Sequence, residues 1–137
     1  MEPQFDHEKL DVYQAELQFV AWVTPLLAEI RESHGACTGE VRDQLDRASI
    51  SMLLNTAEGN GKRQTKVRAK FFDDARGSAT ECAACLDALV AKKAASIGGV
   101  VDGKRLLFRI VSMLTKLVEL FSVDGVVRED AESYVTG

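Results

Sequence analysis

Four stretches of apolar residues recur at the spacing of an α-helix, and glycine stands at each break between them. Leu10, Tyr13, Leu17, Val20, Leu27 and Ile30 mark the first, and Val41, Leu45, Ala48 and Met52 the second. Phe71, Phe72, Ala75, Ala79, Cys82, Leu86 and Leu89 mark the third, and Leu107, Ile110, Leu114, Leu117 and Phe121 the fourth. That period belongs to helices and not to strands. Gly35, the run Gly59-Asn60-Gly61 and the pair Gly98-Gly99 separate the stretches. The pattern predicts helices over 6–33, 38–59, 65–95 and 102–122, with 123–137 as a flexible acidic tail. Short connections favour antiparallel neighbours. The expectation is one all-α domain over 1–137, an antiparallel up-down four-helix bundle.

Local signals add detail. Pro25 removes a backbone donor and is expected to kink the first helix near Ala21 or Trp22. Thr38 and Asp102 are the expected N-caps of the second and fourth helices. Gly77 weakens a helix interior, so its expected role is to let a neighbouring backbone approach. Leu106, Val111, Met113, Val118 and Leu120 widen the fourth helix beyond one seam. A surplus apolar face of that kind suits another subunit.

A chain of 137 residues, 46% hydrophobic, supports one domain with a core. The most apolar run, Leu106 to Phe121, is interrupted by Arg109, Lys116 and Glu119, which argues against a membrane span. Glu2, Asp6 and Glu8 give the start an acidic character unlike a secretory signal. Three cysteines do not make a disulfide framework. A cytoplasmic protein without membrane contact is expected. The net charge of -4 is unevenly spread: residues 1–33 hold seven acids and two bases, residues 62–93 eight bases and four acids.

Arg47, Ser51, Asn55 and Glu58 fall on one arc of the second helix, with apolar rows on both sides. Such an arc points toward a partner helix or subunit. Ser78 and Glu81 on the third helix are its expected counterparts. The six together read as a structural polar network or subunit interface that fixes helix register. Arg42, Ser49 and Thr56 mark the expected solvent side. An acid–base role for Glu58 and Glu81 is the alternative, but no nucleophile or metal ligand accompanies them. No cofactor is implied.

Lys62, Arg63, Lys66, Arg68 and Lys70 are the candidate nucleic-acid contacts, with Lys104 and Arg105 as possible extensions of the patch. The competing reading is a solvated face paired with Asp73 and Asp74. Cys82 and Cys85 form a CxxC spacing. They sit deep inside a helix and not at its start, where a redox motif gains its low pKa. Small core residues explain them better.

The order of elements along the chain resembles a known family. Leu10-Asp11-Val12-Tyr13 opens the first helix, and Gln44-Leu45-Asp46-Arg47-Ala48 leads through Ser51 to Asn55-Thr56-Ala57-Glu58-Gly59. Phe71-Phe72, Ala75-Arg76-Gly77-Ser78 and Glu81 follow. From about Phe5 to Phe121 the chain resembles the four-helix-bundle proteins encoded within intervening sequences of bacterial 23S ribosomal RNA genes. Asp46 departs from the pattern, where the family usually carries a second basic residue. The resemblance implies a bundle assembled into a ring-like homopentamer, with no established catalysis. It also implies a relation to accessory proteins of diversity-generating retroelements, which bind a reverse transcriptase and nucleic acid. The function expected is that of a non-catalytic assembly or adaptor protein, self-associating as a homo-oligomer. The alternative is an accessory protein that binds RNA or RNA and DNA.

Overall fold

A computed structural model describes residues 2 and 4–122 of the chain. They form three α-helices and, among the described residues, no strand: α1 spans Asp11–Asn60, α2 Thr65–Ala91 and α3 Ile97–Ser122. A short 3-10 turn, Asp6–Lys9, precedes α1. The expected tail, 123–137, lies outside the described residues.

The first two predicted helices are one hydrogen-bonded run of 50 residues. A straight helix of that length would reach about 75 Å. Instead His34 leaves helical geometry, at φ -140 and ψ 39, and the run doubles back. Thr56 Oγ1 donates to Glu16 Oε2 at 2.7 Å, and Asn60 Nδ2 donates to Asp6 Oδ2 at 3.0 Å. Residues 11–33 and 35–60 are therefore antiparallel limbs. Side chains satisfy the carbonyls at the reversal. Thr38 Oγ1 donates to the His34 carbonyl at 2.6 Å, and Arg42 Nη2 donates to that of Gly35 at 3.0 Å.

Several expectations are corrected here. The chain leaves helical geometry at His34, within the boundary expected between 33 and 38 and one residue before Gly35, while the kink expected near Ala21 or Trp22 is not marked by any non-helical residue. Thr38 is no N-cap; it is buried within α1 and works at the bend. The third helix stops at Ala91, not Ala95, because Lys93 turns left-handed at φ 62 and the Ala94 and Ala95 amides fold back to the Leu89 carbonyl. The fourth helix begins at Ile97, before the expected Asp102. Ser96 Oγ accepts from the Gly99 amide at 2.9 Å, so the serine caps it and Gly98 and Gly99 lie in its first turn.

The second limb of α1 packs against α2 through Gln44–Glu81 and Ser51–Ser78 hydrogen bonds. The α2–α3 joint carries the Asp87–Lys104 ion pair and the Phe72–Phe121 ring contact. α3 meets the first limb where Gly103 supports Trp22: a Cβ on Gly103 would stand 2.2 Å from Trp22 Cζ3. The order around the core is thus first limb, second limb, α2, α3, which puts the second limb and α3 at diagonal corners. Gly59 has a similar task, since a Cβ there would stand 2.9 Å from Phe71 Cβ. Gly77, expected to admit a neighbour, has open space around it.

The core of α3 matches its sequence pattern, with Leu107, Ile110, Leu114, Leu117 and Phe121 all buried. In α2 the predicted stripe is buried except for the half-buried Phe71. α1 departs from its pattern. Its first limb buries Val12, Ala15, Glu16, Phe19 and Val23, while Leu17 is 37% exposed. Its second limb buries Ser49 and Thr56, expected on the solvent side, and exposes Ile50 and Leu54. Apolar character is a one-way guide to burial. Ser49 satisfies its hydroxyl locally on the Asp46 carbonyl, at 2.7 Å, so its burial carries no unmet polar group.

Candidate functional site

Most residues of the predicted polar row lie at the surface joint of α1 and α2 and not in a dry interior. Arg47 and Glu81 are exposed, and Ser51, Asn55 and Ser78 are half-buried. Two hydrogen-bonded groups line this joint. Arg47 Nη2 donates to Gln44 Oε1 and Gln44 Nε2 donates to Glu81 Oε1, each at 2.8 Å. Ser78 Oγ donates to Ser51 Oγ at 3.1 Å, while Asn55 Nδ2 donates to the Ser51 carbonyl at 3.0 Å. Gln44, not among the predicted network residues, is the link between Arg47 and Glu81. Glu58 is exposed, and among the described residues no hydrogen bond joins its side chain to the rest. A shallow groove of about 530 Å³ runs along this joint, edged by Asp43, Arg47, Glu81 and Cys85.

Among the described residues one carboxyl is fully buried, and no local sequence pattern singles it out. Glu16 is 0% exposed, and burial pushes its pKa up to about 8, against a smaller opposing effect of the Thr56 hydrogen bond. Its Oε1 has no hydrogen-bond partner among the described residues. Glu16 shares a helix face with Val12, Phe19 and Val23, and Thr56 shares one with Met52, Ser49 and Leu45. That spacing becomes a signal only once the buried faces are known.

The five candidate nucleic-acid residues divide. Arg63 and Lys66 are exposed. Lys62 lies half-buried with Nζ 5.2 Å from the centre of the Phe71 ring. Lys70 is 5.8 Å from the same ring and pairs with Asp74 at 3.9 Å. Arg68 has turned inward: its guanidinium donates to the Gly59 and Asn60 carbonyls at the end of α1 and lies 4.8 Å from the Phe121 ring. It caps a helix and is not offered to solvent phosphates. Lys104, paired with Asp87, belongs to the opposite end of α2. At 1.5 Å per residue that is about 30 Å from Lys66, so Lys104 does not extend the patch.

Cys82 and Cys85 are buried. Burial, with smaller contributions from Cys85 and Glu81, pushes Cys82 up to about 12, and burial also raises Cys85. A nucleophilic thiol needs a shift in the other direction. Among the described residues no cluster of three or more His, Cys, Asp or Glu side chains could hold a metal ion. None of the helices is long and apolar enough to cross a membrane, among the described residues.

Among curated proteins and solved structures, none matches the chain. One family model does, over residues 8–116, a span that takes in both limbs of α1, all of α2, the Arg47–Gln44–Glu81 group and every candidate basic residue. With that share of the chain matched, the protein belongs to the 23S rRNA-intervening sequence protein family.

Proposed function

We propose that the chain is a non-catalytic assembly or adaptor protein of the cytoplasm, working as a four-helix bundle in a ring-like homopentamer. Counting the limbs of α1 separately gives four helical segments in antiparallel order, which supports the bundle reading. The observation that carries the assembly reading is on α3, where Ile97 and Phe108 are 77% and 78% exposed beside Val101. They border a groove of about 700 Å³. Large apolar side chains grouped at a surface mark interaction sites.

A second reading is a nucleic-acid accessory role. Lys62, Arg63, Lys66 and Lys70 cluster at the start of α2, and a ring would multiply the cluster; Arg68 drops out of it. Light scattering with and without a generic structured RNA, at low and moderate salt, separates the two. A homo-oligomer indifferent to RNA supports the assembly reading. A mass increase with RNA that fades as salt rises puts the nucleic-acid reading first. A monomer at every concentration overturns the assembly reading.

A further inference from the structure

We propose that two different faces of this chain dock on each other between copies: the second limb of α1, along Asp46, Ile50, Leu54 and Glu58, against the exposed face of α3 around Ile97, Val101 and Phe108. The proposal rests on the assembly reading above and deepens it by stating which surfaces meet.

The α1 face is a row at i, i+4 spacing whose four members are all exposed. Its middle is apolar, with Ile50 40% and Leu54 61% exposed, and both ends are acidic. The α3 face has a row of the same spacing, Ile97, Val101, Arg105 and Arg109, again exposed throughout. Phe108 stands beside it. One row is acid–apolar–apolar–acid and the other apolar–apolar–base–base. When the apolar pairs overlap, an acid meets Arg105 whichever way the helices run: Glu58 if parallel, Asp46 if antiparallel. Among the described residues of its own chain, Arg105 pairs with Asp102 at 3.8 Å, and both side chains are more than three-quarters exposed. Exposed pairs of that kind are weak, so the arginine can change partner.

The α1 face does not suit a copy of itself, because acids would confront acids in either orientation; two α3 faces joined through their apolar pairs either set base against base or leave every arginine without an acid. The contact is therefore heterologous, and each copy offers one face of each kind. The second limb and α3 sit at diagonal corners of the fold, so one molecule can engage two neighbours at once.

Mixing two variants tests the pairing. Leu54→Asp spoils the α1 face and Phe108→Asp the α3 face, each at an exposed position. Helical circular dichroism and thermal melting confirm that each variant is folded; Ile50→Ser and Val101→Ser replace either that is not. By light scattering the wild type is expected as an assembly of several copies and each variant alone as a monomer. The equimolar mixture is expected at twice the monomer mass and no larger, because one intact contact remains possible. Three results overturn the pairing while leaving assembly intact: an unchanged oligomer from either variant, dimers from either variant alone, or a mixture that stays monomeric. A wild type that is itself monomeric sinks the underlying assembly reading instead.

Discussion

Glu16 and Glu81 each accept a hydrogen bond through a carboxyl oxygen from a neighbouring helical segment, and they could hardly differ more. Glu16 is sealed between the limbs of α1 against a single hydroxyl, that of Thr56, and holds its proton near neutrality. Glu81 lies exposed on the α1–α2 joint and accepts from Gln44. In water a charge is solvated whether or not its partner is present. In the core the lone hydroxyl decides how costly the group is. The same residue type thus stabilises little at the surface and makes stability depend on pH inside.

The largest expected effect is on that pH dependence. Burial raises the Glu16 pKa from 4.5 to about 8, so the folded state prefers the protonated form. The stability this confers is fully present below pH 4.5 and is lost as pH rises toward about 8. The loss is on the order of 4 kcal/mol. Glu16→Gln removes the titration. Urea unfolding of both proteins across that range should show the wild type losing stability relative to the variant. A constant difference would mean that Glu16 is solvated and that the contrast with Glu81 is false.

Next in size is Thr56→Val, which takes away the hydroxyl bonded to Glu16 while keeping its shape. Leaving the buried carboxyl unpaired should cost about 1–3 kcal/mol, measurable as a lower unfolding midpoint at pH 6. Equal stability would show that the hydroxyl contributes nothing there. Smallest is Glu81→Ala, where an exposed group loses one hydrogen bond. A change within about 0.5 kcal/mol is expected, and a loss as large as that of Thr56→Val would show that the surface joint is as structural as the core pair.

These two glutamates also show where the sequence was legible. α3 was readable because its buried positions hold large aliphatic and aromatic residues at a steady period, Leu107 to Phe121. α2 was nearly as clear. α1 was not, because it breaks the rule on both sides: Glu16, Thr38, Ser49, Thr56 and Asn60 are buried while Leu17, Ile50 and Leu54 face outward. Periodicity assumes that polar means exposed, and a hydroxyl satisfied by a neighbour escapes that assumption. The reversal at His34 falls inside the boundary expected between 33 and 38, but what holds it was hidden for a related reason. Pro25 and Gly35 are stronger local signals, yet the bend is held by side-chain hydrogen bonds from Thr38 and Arg42, which no local propensity records. Of the polar row, Ser51, Asn55 and Ser78 share hydrogen bonds, Arg47 and Glu81 meet only through Gln44, which periodicity does not single out, and Glu58 stands apart. The inward turn of Arg68 was not legible, because charge alone does not say whether a guanidinium faces solvent or helix-end carbonyls.

The contact between Trp22 and Gly103 has a practical consequence. The chain holds one tryptophan, and it rests directly on the glycine of α3 that admits its ring. Intrinsic fluorescence therefore reports on a single joint, the seating of α3 against the first limb. A red shift that precedes the loss of helical signal during unfolding would reveal α3 peeling away first, without any label attached to the molecule.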